Sequence, residues 1–253
     1  MLLCPSAPAS SDTPPPECAK DAMIVFDASG SMTGHGFGET VVRRIEKVRR
    51  ALAEVLPTVA PARNLGLIVF GPGTRNACEN IDLKLSPGRN SAARIMSEVD
   101  QLQPYGPTPL TSAVGAAAEV LRYRDRPAVI VLLTDGEETC RGNPCALARE
   151  LKAQGADVTV HVIGYMLRFA SEPSSGQFAR CLSETTGGMF LSTETTEELS
   201  EALRQTLACP LISSRSGRDV AYSLSRATAT AGAQRAAMSR ISGAQSIVSA
   251  KSR

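Results

Sequence analysis

Two apolar runs that each stop at an aspartate constrain this chain more than any other feature. Ala22-Met23-Ile24-Val25-Phe26 ends at Asp27, and a small, hydroxyl-rich turn, Ala28-Ser29-Gly30-Ser31, follows. Ala128-Val129-Ile130-Val131-Leu132-Leu133 ends at Thr134-Asp135-Gly136. A short run rich in β-branched residues and apolar on both faces reads as a strand buried in a parallel sheet. A carboxylate at its end is thereby delivered to the carboxyl edge of an α/β sheet, where such folds place ligand sites.

The segments between these runs support that architecture. Val41, Val42, Ile45, Val48, Leu52, Val55 and Leu56 form a stripe at helical spacing, predicting a helix over 39–59 that Pro57 and Pro61 end. Asn64–Gly71 reads as a second buried strand. Ile81-Asp82-Leu83-Lys84-Leu85 alternates, as an antiparallel edge strand does. Helices are expected near 90–102, 110–124, 144–155, 176–186 and 195–207. Strands are expected at 157–164 and 188–191. Thr193 and Glu197 read as the cap and first-turn acid of the last helix. The fold class is therefore α/β: a Rossmann-like, doubly wound, mainly parallel six-stranded sheet with one antiparallel edge strand and helices on both faces.

Residues 20–209 are expected to form this domain. Residues 1–19 are Pro/Ser-rich and read as a signal remnant or linker, with Ala7-Pro8-Ala9 in the small-x-small form of a cleavage site. Residues 210–253 carry seven Arg/Lys against Asp219, a charge of +6 in a chain of net charge +2, and read as a disordered Ser/Ala/Arg-rich tail. The remainder is mildly acidic, which argues against nucleic-acid binding. No run of 18 apolar residues exists, so no membrane span is expected.

The seven cysteines fit no zinc pattern, with only His35 and His161 beside them. That number suits a periplasmic or secreted protein, and removal of Cys4 with a signal would leave six. Cys140 and Cys145 flank a short loop, and a bridge between them is expected.

Asp27, Ser29 and Ser31 alternate, so three hard oxygens can point the same way. Thr108, in Gly106-Pro107-Thr108-Pro109-Leu110, and Asp135 bring the set to two carboxylates and three hydroxyls. That donor set suits Mg²⁺, with Mn²⁺ or Ca²⁺ as alternatives. Neutral hydroxyls leave such an ion strongly positive, able to attract an outside carboxylate at an open coordination position. Glu137 and Glu138 read as a solvated loop, His35 as a surface residue, His161 as a core or face residue. Arg43, Arg44, Lys47, Arg49 and Arg50 read as the solvated face of a helix.

Asp27-Ala28-Ser29-Gly30-Ser31, then Thr108 before Pro-Leu, then Asp135-Gly136 resembles the metal-ion-dependent adhesion site of von Willebrand factor type A domains, of a bacterial extracytoplasmic kind. All five ligand positions are filled in the family's order, and residues of about 20–208 match its alternation. The resemblance implies a metal-mediated protein-binding face rather than an enzyme. The competing readings are a metal-dependent phosphoesterase with Asp27 as nucleophile, and a structural subunit of an envelope complex. Aspartyl phosphotransfer calls for a second carboxylate two residues on and a nearby Lys. Position 29 is Ser, and no Lys lies near the strand ends.

Overall fold

Six strands form one sheet in the order β3-β2-β1-β4-β5-β6. The computed structural model describes residues 18–35, 41–73, 77–155, 157–167 and 177–208. The strands are β1 (Asp21–Asp27), β2 (Asn64–Phe70), β3 (Ile81–Gly88), β4 (Ala128–Thr134), β5 (Val158–Tyr165) and β6 (Phe190–Thr193). All neighbours run parallel except β2 and β3. The chain leaves β1 toward β2 on one side and later enters β4 on the other. The carboxyl ends of β1 and β4 therefore lie at the point where the winding reverses, the place where such folds put their ligand sites.

The helices are α1 (Arg44–Val59), α2 (Ala92–Asp100), α3 (Leu110–Val120), α4 (Pro144–Gln154), α5 (Gln177–Thr186) and α6 (Thr196–Leu207). Alternation along β1 divides the core. Ile24 and Phe26 pack on the face covered by α1, α2 and α6, with Ile45, Leu52, Ile95 and Leu203. Met23 and Val25 pack on the face covered by α3, α4 and α5, with Val114, Leu151 and Leu182. Leu52 is fully buried, and truncating such a side chain to Ala costs about 2–5 kcal/mol. None of the helices among the described residues is long and apolar enough to cross a membrane.

Several expectations are corrected in detail. Helix α1 begins at Arg44, because Arg43 is still extended and pairs with His35, leaving Val41 86% exposed. It runs through Pro57 to Val59. Pro57 sits in the last turn, where the missing N–H removes one bond without breaking the helix. The cap of α6 is Thr195, not Thr193: Thr195 Oγ1 accepts from Glu198 N, and Glu198 reaches back to Thr195 N in a capping box. Glu197 lies in the first turn as expected, whereas Thr193 ends β6.

The alternation in β3 does not mark one face. Leu67 pairs with Leu85 and Ile68 with Leu83, so β3 carries an extra residue between them. Such a bulge turns the strand over. Ile81 then packs on the α3 side, Leu85 on the α1 side, and Leu83 is left 48% exposed.

The Cys140–Cys145 bridge does not form. Cys140 pairs with Cys78, with Cα atoms 5.5 Å apart, and Cys145 pairs with Cys181 at 5.0 Å. Asn143 caps α4 and Pro144 opens it, so Cys145 is already helical and meets α5. Cys140 stays in the preceding loop, its N–H held by Glu138, and meets the short 3₁₀ turn Ala77–Glu79. Residues 1–17 of the expected 1–19 linker and the basic tail, with Cys4 and Cys209, lie outside the described residues.

Candidate metal centre

Asp27 ends β1 with no solvent exposure. Its Oδ1 accepts from Ser29 N at 2.8 Å, and its Oδ2 accepts from Thr134 Oγ1 at 2.5 Å. Thr134 is the last residue of β4, so the two central strands fix this carboxylate jointly. Ser29 leads into a 3₁₀ turn, Gly30–Thr33. There Ser29 Oγ and Ser31 Oγ lie 2.9 Å apart, and Ser31 Oγ donates to Asp135 Oδ1 at 2.6 Å. The backbone N–H of Thr108 donates to Thr139 Oγ1 at 2.7 Å, and its carbonyl accepts from Thr139 N. A methyl group placed on Gly136 would stand 3.5 Å from Ser31 Oγ and 3.9 Å from Thr108 Oγ1. Gly136 thus forms a low floor between hydroxyls from two different loops. Asp27, Ser29, Ser31, Thr108 and Asp135 are brought together at the carboxyl edge.

Two glycines make this convergence possible. Gly106 has φ +86°, and a Cβ there would lie 2.5 Å from the carbonyl oxygen of Gly71. Gly71 has φ +109°, and its Cβ would lie 2.6 Å from Ser29 N. Both conformations and both approaches favour a residue without a side chain. Three backbones consequently stack: Gly30 N donates to Gly106 O, and Tyr105 N to Ala28 O.

Burial is the main reason the Asp27 carboxyl is pushed up to about 6; repulsion from Asp135 adds to it, and the bonds from Ser29 and Thr134 oppose it. Asp135 is also raised, chiefly by burial, against the pull of Ser31 and Arg44. Arg44 Nη1 donates to Asp135 Oδ2 at 2.8 Å.

Arg44 and Arg49 correct the reading of α1's basic residues as a solvated face. Arg49 donates to the carbonyls of Val99 and Leu102 and tethers the end of α2. Glu138 is no solvated loop residue either: it accepts from Thr111 N at the start of α3 and from Cys140 N. It staples the Thr108 loop to the loop after β4, which the Cys78–Cys140 bridge ties to the turn after β2. His35 is exposed, as expected. His161 is half-buried on β5, where its Nδ1 accepts from Met189 N. Thr134, Gly71, Gly106 and Arg44 were absent from the sequence-derived site. Thr134 alone left a local signal there, a hydroxyl next to Asp135 at the end of an apolar strand.

The donor set is all oxygen, and two of its five residues are buried carboxylates. Hard divalent cations take such a shell, and soft metals do not. The chain is 29% identical over 188 residues to the uncharacterised protein YwmD of Bacillus subtilis, covering 71% of this chain and 81% of that one. Among solved structures it resembles the pilus adhesin SpaC of Lactobacillus rhamnosus GG (TM-score 0.56, 18% identity), over 74% of this chain and 30% of the adhesin. It also resembles proximal thread matrix protein 1 of the mussel byssus, in a structure with a zinc-occupied MIDAS motif (TM-score 0.53, 17% identity), over 74% of this chain and 44% of that one. At these identities the likeness to solved structures concerns the fold, and the chain spans less than half of either protein. The family model for the von Willebrand factor type A domain matches residues 21–205. With that match and the sheet described above, the chain belongs to the von Willebrand factor type A domain family.

Proposed function

We propose that residues 20–209 act as a divalent-metal-dependent interaction module that recognises a carboxylate on a protein partner. The observation that carries this reading is the meeting of Asp27, Ser29, Ser31, Thr108 and Asp135 at the carboxyl edge of the sheet. Two of them are buried carboxylates, to which, among the described residues, one guanidinium is bonded. A pair of buried acids in such a setting is costly unless a cation joins it. Ser29, Ser31 and Thr108 would hold the ion through their hydroxyls, and Asp27 and Asp135 directly or through water. Mg²⁺ fits this shell, as does Mn²⁺. The bound ion would supply an open, positively charged coordination position for the partner's oxygen.

Both oxygens of Asp27 already accept hydrogen bonds from Ser29 and Thr134. That arrangement suits a fixed ligand better than an attacking nucleophile and supports binding over hydrolysis. Two disulfides support a place outside the cytoplasm, periplasmic or secreted.

The test is thermal unfolding of wild type and Asp27→Ala during Mg²⁺ and Mn²⁺ titration. The wild type is expected to gain roughly 2–3 kcal/mol at a hundredfold excess of ion over its dissociation constant, and the variant nothing. Equal gains in both proteins, or none in the wild type, would sink the reading.

A further inference from the structure

Arg44 stands where local physics disfavours it. It is the first residue of α1, and the start of a helix is its positively polarised end, which favours acids over bases. The side chain does not escape into solvent: it is 19% exposed, and the Asp135 side chain it reaches is 0% exposed. The partners are 91 positions apart in the chain. The guanidinium lies over the turn that carries Ser31. A Cβ on Gly34 would stand 3.5 Å from its Nε and 3.6 Å from its Cζ, ordinary contact distances. Arg44 N also donates to Gly34 O, so backbone and side chain fasten together the turn and the start of α1. A residue that breaks a local rule in this way is characteristic of a functional site.

Counting charge at the site shows what the placement does. Asp27 and Asp135 contribute two negative charges when ionised, and Arg44 returns one. A divalent ion entering the same cluster meets a net attraction halved by the guanidinium, which also holds Asp135 Oδ2. We propose that Arg44 is a resident counter-cation that sets the divalent-ion affinity of this site: it stabilises the carboxylates before the ion arrives and weakens the ion's binding. Once the ion is in place, the guanidinium leaves the cluster with net positive charge, which favours an anionic partner. Arg44 is in this sense a tuning residue for the ion, not one of its ligands. The inference rests on the metal-binding reading above.

The experiment is isothermal titration of Mg²⁺ and of Mn²⁺ into wild type, Arg44→Gln and Arg44→Lys, with unfolding midpoints recorded before ion is added. Arg44→Gln is expected to bind both ions roughly tenfold more tightly, since one unit of repulsion is removed across a short distance. Its ion-free midpoint is expected to fall. Arg44→Lys keeps the charge and is expected to stay within about threefold of wild type. Unchanged or weaker binding in Arg44→Gln, with the wild type binding normally, overturns the inference and leaves the metal site standing. Tighter binding in Arg44→Lys equal to that in Arg44→Gln also overturns it, because the effect would then come from geometry rather than charge. No heat from the wild type removes the metal site and this inference together.

Discussion

At the amino edge of the sheet, Arg63 is 5% exposed, and its guanidinium is met on every side. Nε donates to Ala19 O, Nη1 to the carbonyls of Leu207 and Thr206 at the end of α6, and Nη2 to Cys18 Sγ. Burial pushes its pKa down, and the negative end of a helix answers the charge. At the carboxyl edge, Asp27 and Asp135 are buried to the same degree, and both acids are pushed up chiefly by that burial, with repulsion from Asp135 adding to it at Asp27. The two edges separate two uses of a buried charge. Where the chain completes the partner set, the charge is a fastener. Where the chain brings like charges together and compensates them incompletely, it leaves a cluster that, on the reading proposed above, a cation would complete.

Removing the fastener is expected to have the largest effect. Arg63→Ala leaves several carbonyls without their donors and is expected to lower unfolding stability in urea by roughly 4 kcal/mol, while metal-linked stabilisation of the folded protein persists. A loss of the metal response alongside would show that the edges are not independent.

Asp27→Asn should act with the opposite sign. The amide can keep the bond from Ser29 N and donate to Thr134 Oγ1, which itself reaches Gly136 O at 3.0 Å. The folded-state pKa of Asp27 lies above its unfolded value of 3.8, so the folded protein holds the extra proton between about 4 and 6. Stability from this group is therefore present below pH 4 and lost as pH rises through 6. Without metal, Asp27→Asn is expected to be more stable than wild type by on the order of 3 kcal/mol at pH 7.5, the difference shrinking toward zero at pH 4. A constant difference across that range, read from denaturant midpoints at several pH values, would contradict the assignment of a carboxyl raised by burial.

Gly106→Ala tests how closely the carboxyl edge depends on backbone approach. The left-handed φ and the contact with Gly71 O are expected to cost about 1–2 kcal/mol. The expected signature is a larger proportional loss in ion affinity than in stability, because the Thr108 loop moves. The reverse ratio would place Gly106 in the scaffold rather than the site.

Much of this was legible in the chain because hydrophobic burial imposes periodicity. The runs ending at Asp27 and Asp135 are apolar on both faces since helices cover both, and the stripe of Ile45, Val48, Leu52 and Val55 follows α1's buried side. Asp27, Ser29 and Ser31 were readable because they are neighbours along one turn. The remainder depends on distance in space. Arg44 sits among other basic residues, and nothing nearby names Asp135 as its partner. Gly71 and Gly106 are needed only because two loops meet. Cys140 and Cys145 are close in sequence, but the capped start of α4 sends them to different partners. The bulge in β3 reverses faces inside a pattern that looks regular.

The pairing of β1 with β4 has a mechanical consequence. Asp27 and Asp135 are rooted at the ends of neighbouring parallel strands, paired from Ala22 with Val129 to Phe26 with Leu133. A tug outward along the strand axis, applied by anything gripped at that edge, would load this ladder in shear. Its hydrogen bonds, and those that β1 and β4 make with β2 and β5, would resist together rather than open one after another. A partner held there would thus pull on strands tied into the sheet on both sides.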